Sequence, residues 1–98
     1  MKAATDKLSV LLRAVADPNR REILRLLGKK GQCSIGRATG LCAADVETRI
    51  KLAQPTVSHH MRVLMDAGLV EAEKVGTWMW YHRNEAAIKK LHRILGEL

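Results

Sequence analysis

Gln54-Pro55-Thr56-Val57-Ser58-His59-His60-Met61-Arg62-Val63-Leu64 reads as a short helix with a sharply divided surface. Pro55 suits a first helical turn, where its fixed φ helps and its missing N–H is not needed. At about 100° per residue, Val57, Met61 and Leu64 fall on one side and face a core. Ser58, His59 and Arg62 fall on the other, with Gln54 and Thr56 near the leading end. Short hydrogen-bonding side chains plus one Arg differ from the Glu/Lys face of an ordinary solvated helix. They have the chemistry needed to read base edges in a major groove. The plainer alternative is a polar helix surface with no partner.

The flanking residues favour the first reading. Upstream, Ala44-Asp45-Val46-Glu47-Thr48-Arg49-Ile50 forms another short helix, with Lys51-Leu52-Ala53 as the tight link. Two helices joined by about three or four residues make a helix-turn-helix, whose second helix enters the groove. Downstream, Gly68 is placed to cap the helix end. Leu69 to Val75 and Trp78 to His82 then read as two strands around Gly76-Thr77, a β-hairpin with Lys74 and Thr77 near its tip. Helix-turn-helix followed by a hairpin is a winged helix.

Outward from this centre the pattern is helical. Leu8, Leu11, Leu12 and Val15 recur at the spacing of an amphipathic first helix. Asp17 is a good N-cap and Pro18 a good first residue for a second helix, which Gly28 closes. Its Ile23, Leu24, Leu26 and Leu27 are core candidates. At the other end Ala87, Ile88, Leu91, Ile94, Leu95 and Leu98 make a last helical stripe. The expected architecture is mainly α with a small hairpin: four helices, two strands and a fifth helix, in one domain over residues 1–98. No internal repeat or low-complexity segment interrupts it.

Composition points the same way. At 98 residues the chain is one domain, and a chain this size buries roughly 60–65% of its unfolded surface. Lys and Arg total 17 against 10 Asp and Glu, a net charge of +7. That excess suits a polyanion, most often nucleic acid. No stretch approaches the ~18–20 apolar residues that cross a bilayer, and no signal-peptide pattern opens the chain. A cytoplasmic protein, with no membrane partner and its two cysteines held as thiols, is expected. No His-Glu-x-x-His, phosphate-binding Gly-rich loop or nucleophile elbow appears, so catalysis is not expected.

Asp17-Pro18-Asn19-Arg20-Arg21-Glu22-Ile23-Leu24, the Gln54–Leu64 stretch, Ala67-Gly68-Leu69-Val70 and Gly76-Thr77-Trp78-Met79-Trp80-Tyr81 together resemble the ArsR/SmtB metalloregulators. The resemblance runs from about residue 8 to about residue 95. It implies a homodimeric winged-helix repressor that leaves its operator when an inducer binds. The interface would be built by the terminal helices through Leu8, Leu11, Leu12, Val15, Ile88, Leu91, Ile94 and Leu95. The alternative is that both stripes simply cover the core of a monomer.

One region departs from that family. Lys29 to Gly40, with Gly31, Gly36, Gly40, Ser34 and Thr39, reads as a loop where relatives pass between helices in far fewer residues. Loops of this length are often functional. Arsenic sensors of the family carry Cys-x-Cys-Asp on the third helix, and Leu41-Cys42-Ala43-Ala44-Asp45-Val46 resembles that segment with Ala44 at the second thiol position. Cys33, across the loop, is the candidate second ligand. Two thiolates suit a thiophile such as trivalent arsenic or a monosubstituted organoarsenical. Oxidation of the pair would instead report redox or sulfide stress, and the plainest alternative is that both are incidental small residues. The family's zinc site on the last helix lacks its ligands here, since Glu85-Ala86-Ala87 and Leu98 stand in their places.

The expected partner is thus double-stranded DNA, bound by a dimer that sets its reading helices about one helical turn apart on an imperfect palindrome. Gln54, Thr56, Ser58 and His59 are candidates for base edges. Arg62 and Lys51 are candidates for phosphate, and Lys74 and Thr77 for backbone or minor groove. Trp78, Trp80 and Tyr81, the only aromatics, are expected to anchor the wing rather than to stack on bases. A protein-docking winged helix is the rival from another class.

Overall fold

In the computed structural model, which describes residues 6–98, the chain runs α1 (Lys7–Ala16), α2 (Pro18–Leu27), β1 (Leu41–Cys42), α3 (Ala43–Ile50), α4 (Gln54–Asp66), β2 (Val70–Val75), β3 (Trp78–Arg83) and α5 (Glu85–Gly96). Side chains close most helix starts. Asp6 accepts from the Ser9 N–H at 2.7 Å, Asp17 from the Asn19 and Arg20 N–H groups at 2.7 and 3.2 Å, and Asn84 from Ala87 at 3.1 Å. Each satisfies donors that a helix start leaves without a partner.

The hairpin registers Val70 with Arg83 and Val75 with Trp78, and Gly76 takes φ 61° in the two-residue turn. The sheet differs from expectation in having a third strand. β1 pairs antiparallel with β3, Leu41 opposite Tyr81 and Cys42 opposite Trp80, in the order β1-β3-β2. Two residues carry no visible alternation, so sequence alone reads them as loop. The strand forms because Gly40 lets the backbone press against β3. A Cβ there would lie 2.5 Å from both Trp80 Nε1 and the Tyr81 carbonyl oxygen, and its φ of +80° also favours glycine.

Ile23, Leu27, Leu41, Met61, Leu64 and Leu69 are fully buried and join the helices to the inner face of the sheet. Between α3 and α4 the chain turns at Lys51, the one non-glycine residue with positive φ among those described (60°). Its N–H bonds the Glu47 carbonyl and closes α3. Among the described residues no helix is long and apolar enough to cross a membrane.

Candidate nucleic-acid interface

α4 is divided as its sequence implies. Val57, Met61 and Leu64 are buried, while Gln54, Thr56, Ser58, His59 and Arg62 are exposed. Lys51 is exposed at the turn that delivers α4, and Lys74 and Thr77 are exposed on the hairpin, whose β2 packs against α4. Six of the eight expected contact residues therefore share one helix and its entry turn. The start of α4 is also open. Ala53 occupies the N-cap and supplies no side-chain hydrogen bond. N–H groups and the positive end of the helix dipole are left facing out, an arrangement that suits an anion such as phosphate.

Three side chains in this region do work that the sequence reading missed. His60 is buried at 6% exposure and turns inward, with Nδ1 3.1 Å from Nη1 of Arg20. Arg20 also donates to the carbonyls of Ala14 and Arg13 at 2.7 and 3.0 Å, and Arg21 to those of Val15 and Ala16 at 2.7 and 3.0 Å. Both arginines thus hold the last carbonyls of α1 rather than standing free for a polyanion. The available signal was their position, just beyond a helix that ends without a glycine.

The thiols lie at the other end of the helix-turn-helix. Cys42 is buried and donates its S–H to Asp45 Oδ2 at 3.2 Å. Ser34 donates to the same oxygen through N–H and Oγ at 3.1 and 2.8 Å, and its Oγ lies 3.4 Å from Cys42 Sγ. Burial alone would raise the Asp45 pKa, but these hydrogen bonds from Ser34 and Cys42 bring it below its ordinary value. Ser34 thereby fastens the long loop to α3. Cys33, its half-buried neighbour in the chain, stands one residue from the surroundings of Cys42. Both cysteines are free thiols. No group of three or more His, Cys, Asp or Glu side chains among the described residues is placed to hold a metal ion.

The loop is fastened at its far end too. Trp80 Nε1 donates to the Thr39 carbonyl at 2.9 Å, Arg37 lies 4.8 Å over the Trp80 ring, and His82 stacks on that ring at 4.2 Å. Trp80 and half-buried Tyr81 anchor the wing as expected. Trp78 does not: it is 51% exposed, because the hairpin tip extends past anything it could pack on.

A helix-turn-helix domain family matches residues 15–73. The arsenical resistance operon repressor of Staphylococcus aureus is 40% identical over 82 residues, spanning 84% of this chain and 70% of that protein. The chain belongs to the ArsR family of helix-turn-helix transcriptional regulators. Its fold agrees with solved ArsR-type structures. An ArsR-like transcriptional regulator from Rhodococcus sp. RHA1 superposes with a TM-score of 0.75 at 30% identity, covering 93% of this chain and 75% of that one. A homodimeric winged helix-turn-helix DNA-binding domain from Mycobacterium bovis superposes at 0.74 with 23% identity, covering 95% and 79%.

Against that family frame the terminal helices divide in two. Leu11, Ile88 and Leu91 are 4–6% exposed and pack in the chain's own core, at the floor of the α1 and α5 surface. A helical stripe looks the same whether it faces a core or a second copy. Leu8, Leu12, Val15 and Ile94 remain half-buried and Leu95 is exposed. Leu8, Leu11, Ala87 and Ile94 line a groove of about 410 Å³ between α1 and α5, with Lys7 and Lys90 among its other lining residues.

Proposed function

We propose that the chain is a cytoplasmic repressor that works as a homodimeric winged helix on a palindromic operator in double-stranded DNA. Each α4 enters a major groove, so that the two copies sit about one helical turn apart. Gln54, Thr56, Ser58 and His59 face base edges, Lys51 and Arg62 grip phosphate, and Lys74 and Thr77 touch the backbone or minor groove. The observation that carries this reading is α4 itself, whose outer side chains are all exposed and whose start is uncapped. The dimer would form through the α1 and α5 surfaces at Leu8, Leu12, Val15, Ile94 and Leu95, which the single chain covers only in part, with Leu11, Ile88 and Leu91 beneath them.

The inducer in this reading is a thiophile, with a trivalent arsenical as the first choice, held by Cys33 and Cys42. Ligation of a trivalent arsenical exchanges two As–OH bonds and two S–H bonds for two As–S bonds, and the thiol protons leave with the two hydroxyl groups as water. It also breaks the Cys42–Asp45 hydrogen bond at the start of α3, the helix that leads into α4. Release requires the inducer to bind the free form better than the DNA-bound one. Disulfide formation between the same thiols is the second reading. The fastening of the loop by Ser34, the residue next to Cys33, to Asp45 and Cys42 supports it equally.

Fluorescence anisotropy of the reduced protein on a labelled duplex from upstream of its own gene tests both parts. Titration with a trivalent organoarsenical should release the protein, and Cys33→Ser or Cys42→Ser should abolish that release. Release by oxidant alone selects the disulfide. A docking module would show no steeply salt-dependent duplex binding at all.

A further inference from the structure

His60 is a polar side chain of α4 that the proposed interface leaves unused and the fold buries. Its neighbour His59 points outward, while His60 is the one buried polar residue among those described. A guanidinium only donates hydrogen bonds. The 3.1 Å contact to Arg20 Nη1 therefore needs an unprotonated Nδ1, with the ring proton on Nε2. The same guanidinium reaches the Ala14 and Arg13 carbonyls through Nε and Nη2. Arg20 thus joins α2, to which it belongs, with the last turn of α1 and the middle of α4.

The charged and titratable groups around the ring are few. They are Arg20 on α2, Asp17 at its N-cap, and His59 on α4 itself, whose ring centroid lies 5.9 Å away. A second proton on His60 turns its acceptor into a donor and sets two cations against each other. Asp17 opposes that repulsion through its charge, but its carboxylate accepts from the Asn19 and Arg20 N–H groups and not from the ring.

We propose that Arg20 and His60 form a proton-sensitive tie that positions α4 against α1 and α2, and that breaking it on acidification weakens the DNA complex. Both are positioning residues and neither touches DNA; the proposal rests on α4 being the reading helix. Burial lowers the pKa of His60, helped by the charges of Arg20 and His59 and opposed by Asp17. The unfolded chain therefore takes up this proton at higher pH than the folded one. The tie's contribution is complete above the ordinary histidine value of ~6.5 and is lost as pH falls below it. Exposed His59 carries a second imidazole beside the first, on the face proposed to meet DNA, so the test removes it.

The experiment uses the full chain carrying His59→Gln, with and without His60→Gln, whose amide oxygen accepts from Arg20 but does not titrate. Amide and imidazole NMR signals are followed without DNA from about pH 7.5 to about pH 5. Signals of α4 and of the last turn of α1 should move together with the His60 ring, and this shared transition should vanish in the His60→Gln variant. A ring that titrates while those amides stay still overturns the tie, as does a transition that survives the substitution. Arg20→Lys gives an independent check. It keeps the charge but cannot hold both α1 carbonyls and the ring, so the α1 amides should drop out of the transition; their continued movement also overturns it. Duplex affinity should fall severalfold over the same range while His60 is present and stay level once His60→Gln is introduced. Coupled amide shifts with pH-independent affinity overturn the role in DNA binding. Coupled shifts in a chain whose unsubstituted form binds no duplex at any pH leave the tie standing and sink the DNA reading instead.

Discussion

α2 and α4 start with the same device and finish it differently. Each places a proline in its first turn, Pro18 and Pro55. Ahead of Pro18 stands Asp17, whose carboxylate takes two N–H groups of the first turn. Ahead of Gln54 stands Ala53, which takes none. The start of α2 is closed from within the chain, and the start of α4 is left open. The paired histidines repeat the contrast within one turn of α4, with His60 bound to Arg20 and His59 left in solvent. Polar groups that serve the fold are satisfied inside it, and those proposed to serve recognition are left open.

The contrast can be broken most forcefully by making α4 like α2. Ala53→Asp should raise unfolding stability in urea by about 1 kcal/mol through a new cap. It should also lower duplex affinity by about tenfold or more, because a carboxylate then occupies the place of a phosphate. Unchanged affinity would dissolve the distinction between the two helix starts. The converse substitution, Asp17→Ala, should cost about 0.5–2 kcal/mol of stability while leaving the salt dependence of DNA binding unchanged.

Acid sharpens the same point. Burial alone would raise the Asp17 pKa, but the N–H groups of Arg20 and Asn19, with the charges of His60 and Arg20, bring it below the ordinary carboxylate value. Its contribution is therefore present at neutral pH and is lost as pH falls through the carboxylate range. Asp17→Asn keeps the cap acceptor and should flatten that part of an acid-unfolding curve.

Smaller effects belong to the edges of the interface. Lys51→Gly relieves a left-handed residue and should stabilise the fold by under about 1 kcal/mol in urea. It should also lower the slope of log affinity against log salt by about one unit per subunit. Arg62→Ala should lower that slope by a similar amount and weaken operator and non-operator duplexes alike. A loss confined to the operator would make Arg62 a base reader.

Much of this was legible because the relevant signals are local. The 3.6-residue period of α4, the turn at Lys51 to Ala53, the Asp17-Pro18 cap and the Gly76 turn each act over a few residues. What sequence hid depends on distant neighbours. β1 exists only because Gly40 brings it against β3, and Arg20 and Arg21, counted as surface charge, are held by carbonyls of the preceding helix. His60 lies at the margin of the buried face on a helical wheel, where period alone does not fix which way a ring turns. Trp78 and Trp80 share one face of β3, yet the loop reaches only as far as Trp80.

Whether α4 meets DNA is decided by salt-dependent anisotropy on two labelled duplexes, one from upstream of the chain's own gene and one of scrambled sequence. Log affinity is expected to fall linearly with log salt, with a slope near −0.9 for each phosphate contacted. Binding to the first duplex should be tighter throughout, with both properties reduced by Ala53→Asp. Binding that is flat with salt, or equal on the two duplexes, contradicts the reading of α4 as an open helix built to meet DNA.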